Sequence, residues 1–549
     1  MNRLFRKRPV TGTIGAEGEI HGGNALGRHL GLRDLTFFGI AAIIGGGSFS
    51  SMGQACFSGG PGVVYLFIMC AVACGFTALC YAEFAARVPT SGSAYTYAYV
   101  SFGEVFAWII GWALLMEYSI GNIYIAFAWS GYFTNLLDGI GLHMPEWLTI
   151  NYKSAHAAAI ARVAGEGLSA WTTAPTVGSL RIIFDLPAFT INALITWLVY
   201  TGVRETRNAS NAMVLLKLAV IVLVVVVGIA YVDIDNWTPW MPNGFGGVMA
   251  GVSAVFFAYI GFDAVSTLAE EAKDPQRDLP RGMILSLVIC TIVYIALALV
   301  LTGMVSYKQL GVSDPLAEVF ALRGVKWMLF IVSITAVIAM TSVMLVFQMG
   351  QPRIWMSMSR DGLMPKRFAS IHPKYKTPGF STIITGLVVG IPLFFTDENF
   401  ILDFTSIGTL FAFVLVCGGV LLMPHREKTP GRFHLPYING KFIVPLMGMA
   451  ALALVVSNDP VHFHRILGRT GLPVNVPMLV FYLLCAVVAA YSFLKAWSLI
   501  PVLGLVSCCY LLTGMAVSNW KWFGIWLVIG LMCYFAYGFR HSRLALAAK

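Results

Sequence analysis

Long apolar runs recur along the whole chain, each bounded by a few polar or charged residues, and most are long enough to cross a bilayer as helices. About fourteen such spans are read, near 33–57, 61–86, 101–136, 185–202, 210–232, 244–270, 283–305, 327–350, 380–396, 401–423, 441–457, 476–496, 498–516 and 520–539. The pattern predicts an all-α polytopic membrane protein. Residues 1–30 are basic and glycine-rich and read as a tail. The longest connection, 137–184, is too polar to span, and the pattern does not specify its form.

Two spans are interrupted. The first carries Ile43-Ile44-Gly45-Gly46-Gly47-Ser48-Phe49 in its middle, where three glycines weaken the helix and expose backbone N–H and C=O groups. Lipid cannot satisfy such groups, so the break is buried in protein or lines a cavity. The sixth span carries Phe257-Ala258-Tyr259-Ile260-Gly261-Phe262-Asp263, about 215 residues later. If five spans form one repeat, these are the first helices of two halves with opposite orientation. Paired interruptions of that kind point to the binding site of a secondary transporter. The alternatives are a close-packing glycine patch at the first break and a kinked helix at the second. On this reading, 31–232 and 233–430 form a five-plus-five inverted-repeat core, and 431–549 adds about four helices.

Composition agrees: 58% of residues are hydrophobic, 11% are charged, and mean hydropathy is +0.77, well outside the range of soluble domains. The net charge of +10 comes from Lys and Arg placed in alternate loops. Arg3, Arg6, Lys7, Arg8, Arg28 and Arg33 precede the first span, and Arg204, Arg207, Lys273, Arg277 and Arg281 follow the fourth and sixth. Intervening loops are acidic or neutral, so both termini are expected on the cytoplasmic side. No basic patch with interleaved aromatics accompanies the charge, so nucleic acid is not an expected partner. The ten cysteines lie in or beside apolar spans without a CxxC pair and read as small buried hydrophobes, with no metal site or disulfide framework. No signal peptide is expected, because the first apolar run begins near Leu35. No cofactor is expected.

Several stretches together resemble the amino acid–polyamine–organocation superfamily, and within it the cationic amino acid transporter branch. They include Ile44-Gly45-Gly46-Gly47-Ser48-Phe49, Tyr81-Ala82-Glu83-Phe84-Ala85, Phe257 to Asp263 running to Glu270-Glu271, Gly350-Gln351-Pro352-Arg353 and Ser359-Arg360-Asp361-Gly362. Their order and spacing cover nearly everything except the tail and 137–184. The resemblance implies an amino acid permease in a bacterial inner membrane, working by alternating access. Gly46 and Ser48 depart from the usual first-helix motif and widen the break.

A zwitterion needs an anion holder and a cation holder a few ångströms apart. The half-helix starting near Ser48 offers N–H groups and a positive dipole end for the α-carboxylate, with Ile44, Gly45, Gly46 and Gly47 around it. The half-helix ending near Tyr259 offers carbonyls of Phe257, Ala258 and Ile260 for the α-ammonium. Lys217 sits about seven residues into an apolar span, where insertion costs roughly 2.5–3.5 kcal/mol; it either snorkels or faces inward. An inward amine can exchange a proton during transport. In proton-coupled relatives the matching lysine fills the space where sodium-coupled ones bind their ion, so proton coupling or exchange is expected. Glu117, an intramembrane carboxylate near Asn122, is assigned either to a cationic substrate side chain or to an internal partner. Met340 matches a pocket-shaping position in relatives, although methionine is more often packing. Glu83, Arg87, Glu270, Glu271 and Arg353 lie at cytoplasmic ends of spans and form either structural pairs or an inner gate.

An integral-membrane enzyme needs a catalytic set that no stretch supplies; a channel or a polyamine transporter remains an alternative to the permease. No outer cysteine lies in 137–184, so no disulfide-linked accessory subunit is expected.

Overall fold

The computed structural model describes residues 6–7, 30–88, 93–161, 166–178, 180–202, 206–269, 271–312, 314–423, 432–458 and 476–547. Uncharged runs of Leu, Ile, Val, Ala and Phe allow only helices to satisfy their own backbone in lipid, and the described residues are helical almost throughout. The exception is a two-residue hairpin, β1 (Thr176–Val177) with β2 (Leu180–Arg181), antiparallel.

The first helix, α1 (Leu32–Ile43), starts where the Asp34 carboxylate accepts the Gly31 N–H at 3.0 Å, and it stops at Ile44, whose ψ of 104° is extended. A π-helical turn, Gly47–Ser51, follows and leads into α2 (Met52–Gly59). The stretch Gly47–Arg87 is 41 residues long and mainly apolar. As one rod it would measure about 60 Å, twice a bilayer core. The helix is interrupted at Gly60, whose φ of 60° needs glycine, before α3 (Val63–Arg87). A short α4 (Ser93–Ser101) precedes α5 (Glu104–Gly139), the most enclosed helix, with 89% of its apolar window inside the protein.

The connection after α5 folds into α6 (Tyr152–Ala161), α7 (Glu166–Thr173) and the hairpin, around a small core of Ala155, Ala170, Ala174 and Ile183. An ion pair from Lys153 to Asp397 ties it down. Then come α8 (Leu186–Thr201), capped by Asp185 accepting from the Ala188 N–H at 3.0 Å, and α9 (Thr206–Ile229). The second interrupted element comprises α10 (Gly244–Ala250), α11 (Val252–Tyr259) and the 3-10 turn Phe262–Leu268, with a 44° bend between α10 and the two that follow. After it run α12 (Pro275–Met304), α13 (Pro315–Leu322), α14 (Lys326–Arg360), α15 (Gly379–Gly390) and α16 (Glu398–Leu422). The last four are α17 (Ile443–Asn458), α18 (Val476–Lys495), α19 (Leu499–Thr513) and α20 (Val517–Cys533).

By length and composition, eight described helices can cross a membrane, or nine when the bent pair counts as one span; α8, α15, α17 and α19 are shorter apolar helices. Burial falls outward, to 11% of the apolar window in α18 and 22% in the α20 segment, so these form the rim. A tryptophan ladder pins α20 to α5: Trp108 Nε1 donates to the Gly530 carbonyl at 2.8 Å. Trp112 and Trp526 each donate to the other's carbonyl at 2.9 and 3.1 Å.

Candidate functional site

The two interruptions meet in the centre. A Cβ on Gly47 would lie 2.4 Å from the Ala258 Cα, so the backbones touch where only glycine fits. Gly261 (φ 118°) packs against Ala42 in the same way, and the Ser51 hydroxyl donates to the Ala254 carbonyl at 3.0 Å. Sequence order places these residues far apart; the fold makes them one site.

The carbonyls released where α1 stops are taken by two buried side chains. Lys217 Nζ, on α9, donates to the Ala41 and Ile44 carbonyls at 3.0 and 2.6 Å and to Ser342 Oγ at 3.0 Å. All three of its donors are thus used. Tyr294 on α12 donates to the Ile43 carbonyl at 2.8 Å. The amine is fully buried and aimed at the break, which removes the snorkelling alternative. The negative end of the α1 dipole supports a charged ammonium there.

The second half-helix begins slightly earlier than the reading near Ser48. The Ser48 and Phe49 N–H groups both donate to the Gly45 carbonyl, at 3.1 and 3.0 Å, and so does the Ser48 hydroxyl at 3.1 Å. The first-turn N–H groups, without intrahelical acceptors, therefore belong to Gly46 and Gly47. At the other break, the Ile260 N–H donates to the Phe257 carbonyl at 3.2 Å, so that carbonyl is taken up at the helix end.

Between the breaks lies a nearly closed cavity lined by Ala42, Ile43, Gly46, Gly47, Phe257 and Ile260, with Ile125 of α5 and Val343 and Phe347 of α14 completing the wall. About 10 Å³ is open to the centre of a water molecule, the lower limit for one water. Met340 is buried on α14 but does not line the cavity; Val343 and Phe347, one and two turns on, do so instead.

Glu117 lies two turns along α5 from Ile125. The Phe347 ring occupies the turn between, against Gly121 and stacked on Tyr118 at 5.4 Å. Both Glu117 oxygens are buried without a hydrogen bond of good geometry, as are both oxygens of Asp263. Asp263 falls within the second interrupted motif, where the kinked-helix alternative makes it an N-cap, and the rule applied to Glu117 covers it equally. Tyr294, Ser342 and Phe347 carried no such signal, because a hydroxyl or a ring in an apolar helix is ordinarily packing.

The charged residues at helix ends divide into two groups. Arg87 pairs with Glu83 one turn away on α3 at 2.6 Å, and the other Glu83 oxygen accepts the Leu435 N–H at 2.7 Å. That pair fastens α3 to the segment before α17. Arg353 of α14 pairs at 2.7 Å with Glu271, just past the second interrupted helix, and so does join a frame helix to the broken one. Glu270 lies outside the described residues.

Residues 30–467 match the family model described as amino acid permease, and residues 498–542 match one described as the C-terminus of that permease. The chain is 38% identical to a branched-chain amino acid permease, BcaP, of Bacillus subtilis over 98% of this chain and 99% of that protein. It is 36% identical to the methylthioribose transporter of the same organism over 99% of this chain and 100% of that protein. With human cationic amino acid transporter 4 it shares 31% identity over 94% of this chain and 88% of that protein.

Proposed function

The chain belongs to the amino acid permease family, and from that premise we propose that it moves amino acids with apolar side chains by proton-linked alternating access. It is a multi-pass membrane transporter, not an enzyme. The observation that carries the finer reading is the cavity between the two interruptions, lined by Gly46 and Gly47 of one broken helix and by Phe257 and Ile260 of the other. First-turn N–H groups of Gly46 and Gly47 receive the α-carboxylate, and carbonyls of Ala258 to Ile260 receive the α-ammonium. The side chain then meets Ile125, Phe257, Val343 and Phe347, all apolar.

Lys217 supports proton linkage. It fills the place beside α1 where a bound cation would otherwise satisfy the freed carbonyls, and a lysine can give up its proton where an arginine cannot. The five-plus-five arrangement with opposed halves accounts for two breaks meeting at the centre, with about fourteen spans in all. Both termini then face the cytoplasm of a bacterial inner membrane. Arg353 and Glu271 serve as an inner gate pair, which breaks when the site opens inward.

A second reading, cationic substrates, is favoured by Glu117 and Asp263, two fully buried carboxyls in the protein interior. Phe347 packs against Gly121, between Glu117 and the wall residue Ile125 along α5, and stacks on Tyr118. Competition uptake decides between the two. In the wild type, branched-chain amino acids are expected to compete and arginine to fail. In Phe347→Ala this packing opens, and arginine is expected to become a competitor while the KM for isoleucine rises by about tenfold or more from lost aromatic burial. Arginine competing as well as isoleucine in the wild type assigns the acidic pair to the resting pocket.

A further inference from the structure

The π-turn Gly47–Ser51 sits directly after the first break. Its widened register, with the Met52 N–H reaching back to the Gly47 carbonyl, leaves backbone and side-chain oxygens to find donors from other helices. Two come from one helix, α5. Tyr132 donates its hydroxyl to the Phe49 carbonyl at 2.6 Å, with the two rings edge to face at 6.3 Å. Tyr124 shares a hydrogen bond with Ser50 Oγ at 3.0 Å, and its ring meets Phe257, a cavity wall on the other broken helix, at 4.6 Å and 70°. All four residues are fully or almost fully buried, so these bonds are made away from water.

The consequence follows from which parts can move. α5 is the most enclosed helix and is tied by its tryptophan ladder to α20. The π-turn and Phe257 belong to the interrupted helices, which must separate from their neighbours to let a solute in. We propose that Tyr124 and Tyr132 are positioning residues for transport, a two-hydroxyl latch by which α5 holds the π-turn and Phe257 over the cavity on its outer side. The latch rests on the transport reading above for its purpose but not for its geometry. When it releases, α2 swings out and the cavity opens. When it closes, the Gly46 and Gly47 N–H groups are set against the substrate. Neither tyrosine touches the cavity as a wall residue, so loss of a hydroxyl changes how often the site is closed, not what it contacts.

Tyr132→Phe and Tyr124→Phe remove each hydroxyl and keep each ring. The native Cys56 on α2, free and buried just beyond the latch, reports opening. Intact cells are treated with a membrane-impermeant maleimide, and the Cys56 peptide is quantified by mass spectrometry; isoleucine uptake is measured in parallel. Each variant is expected to label roughly three- to tenfold faster at Cys56 and to show a KM raised by a similar factor, with expression and melting temperature near wild type. The double variant is expected to exceed either single one. Unchanged Cys56 labelling in both variants overturns the latch. A wild type without saturable amino acid uptake overturns the transport reading instead, while the labelling still decides the latch.

Discussion

Lys217→Ala is expected to abolish the pH dependence of uptake and to reduce uptake itself by at least about tenfold. The substitution removes three hydrogen bonds at once and leaves the Ala41 and Ile44 carbonyls, fully enclosed, without their donor. Each buried acceptor so abandoned costs about 1–3 kcal/mol, more than enough for a tenfold effect. Lys217→Arg separates the two roles of the amine. An arginine keeps a positive charge and can reach the same carbonyls but cannot release a proton. It is expected to retain part of the folding stability while losing the pH response. Initial uptake rates into proteoliposomes, measured with and without an imposed proton gradient, check both variants. A Lys217→Ala protein whose uptake still rises on acidification of the outer side removes this residue from the coupling step.

Gly47→Ala is the second large effect. Its methyl carbon would stand 2.4 Å from the Ala258 Cα and 2.8 Å from its Cβ, distances that require the two interrupted helices to move apart. Because the neighbour is backbone, no rotamer change relieves the contact. Overpacking of this kind costs about 1–3 kcal/mol or more and falls on the helix pair that shapes the cavity. Substrate-induced thermal stabilisation is therefore expected to vanish even where the protein still inserts and can be purified. Gly75, on the lipid-side region of α3, offers the matched control, since nothing lies within 4 Å of its added methyl. Gly75→Ala is expected to leave binding as it is.

Much of this architecture was legible in the chain because lipid imposes so few choices. Apolar runs had to be helices, and the boundaries read from hydropathy fall within several residues of those observed, as with 185–202 against Leu186–Thr201. The two breaks were visible for the same reason, since glycines at bilayer depth leave backbone groups that something must satisfy. What satisfies them was legible only in part. Lys217 stood out because a charge in an apolar run is rare. Tyr294, Ser342, Tyr124 and Tyr132 did not, because phenols and hydroxyls are common there and only the packing shows which carbonyl each reaches. Glu83 and Arg87 stood at a helix end, where either a structural pair or an inner gate was expected. Their four-residue spacing had already allowed the local pair they form, and Leu435, which completes it, lies some 350 positions away. The exact start of the second half-helix also escaped the sequence, because three glycines and a serine do not say which carbonyl will turn back. The connection 137–184 gave no sign of its two helices and hairpin, since its small core rests on three alanines and an isoleucine.

The central claim is that backbone groups at two meeting interruptions hold both charged ends of one small solute. Binding of isoleucine to the purified protein, compared with its decarboxylated amine and with its α-keto acid, measures this directly by thermal shift or isothermal titration. Each analogue lacks one charged end and keeps the side chain. Loss of one set of charge-assisted hydrogen bonds, about 1.5–3 kcal/mol per bond, predicts affinity at least about tenfold weaker for either analogue. An amine or a keto acid that binds as tightly as isoleucine contradicts the account.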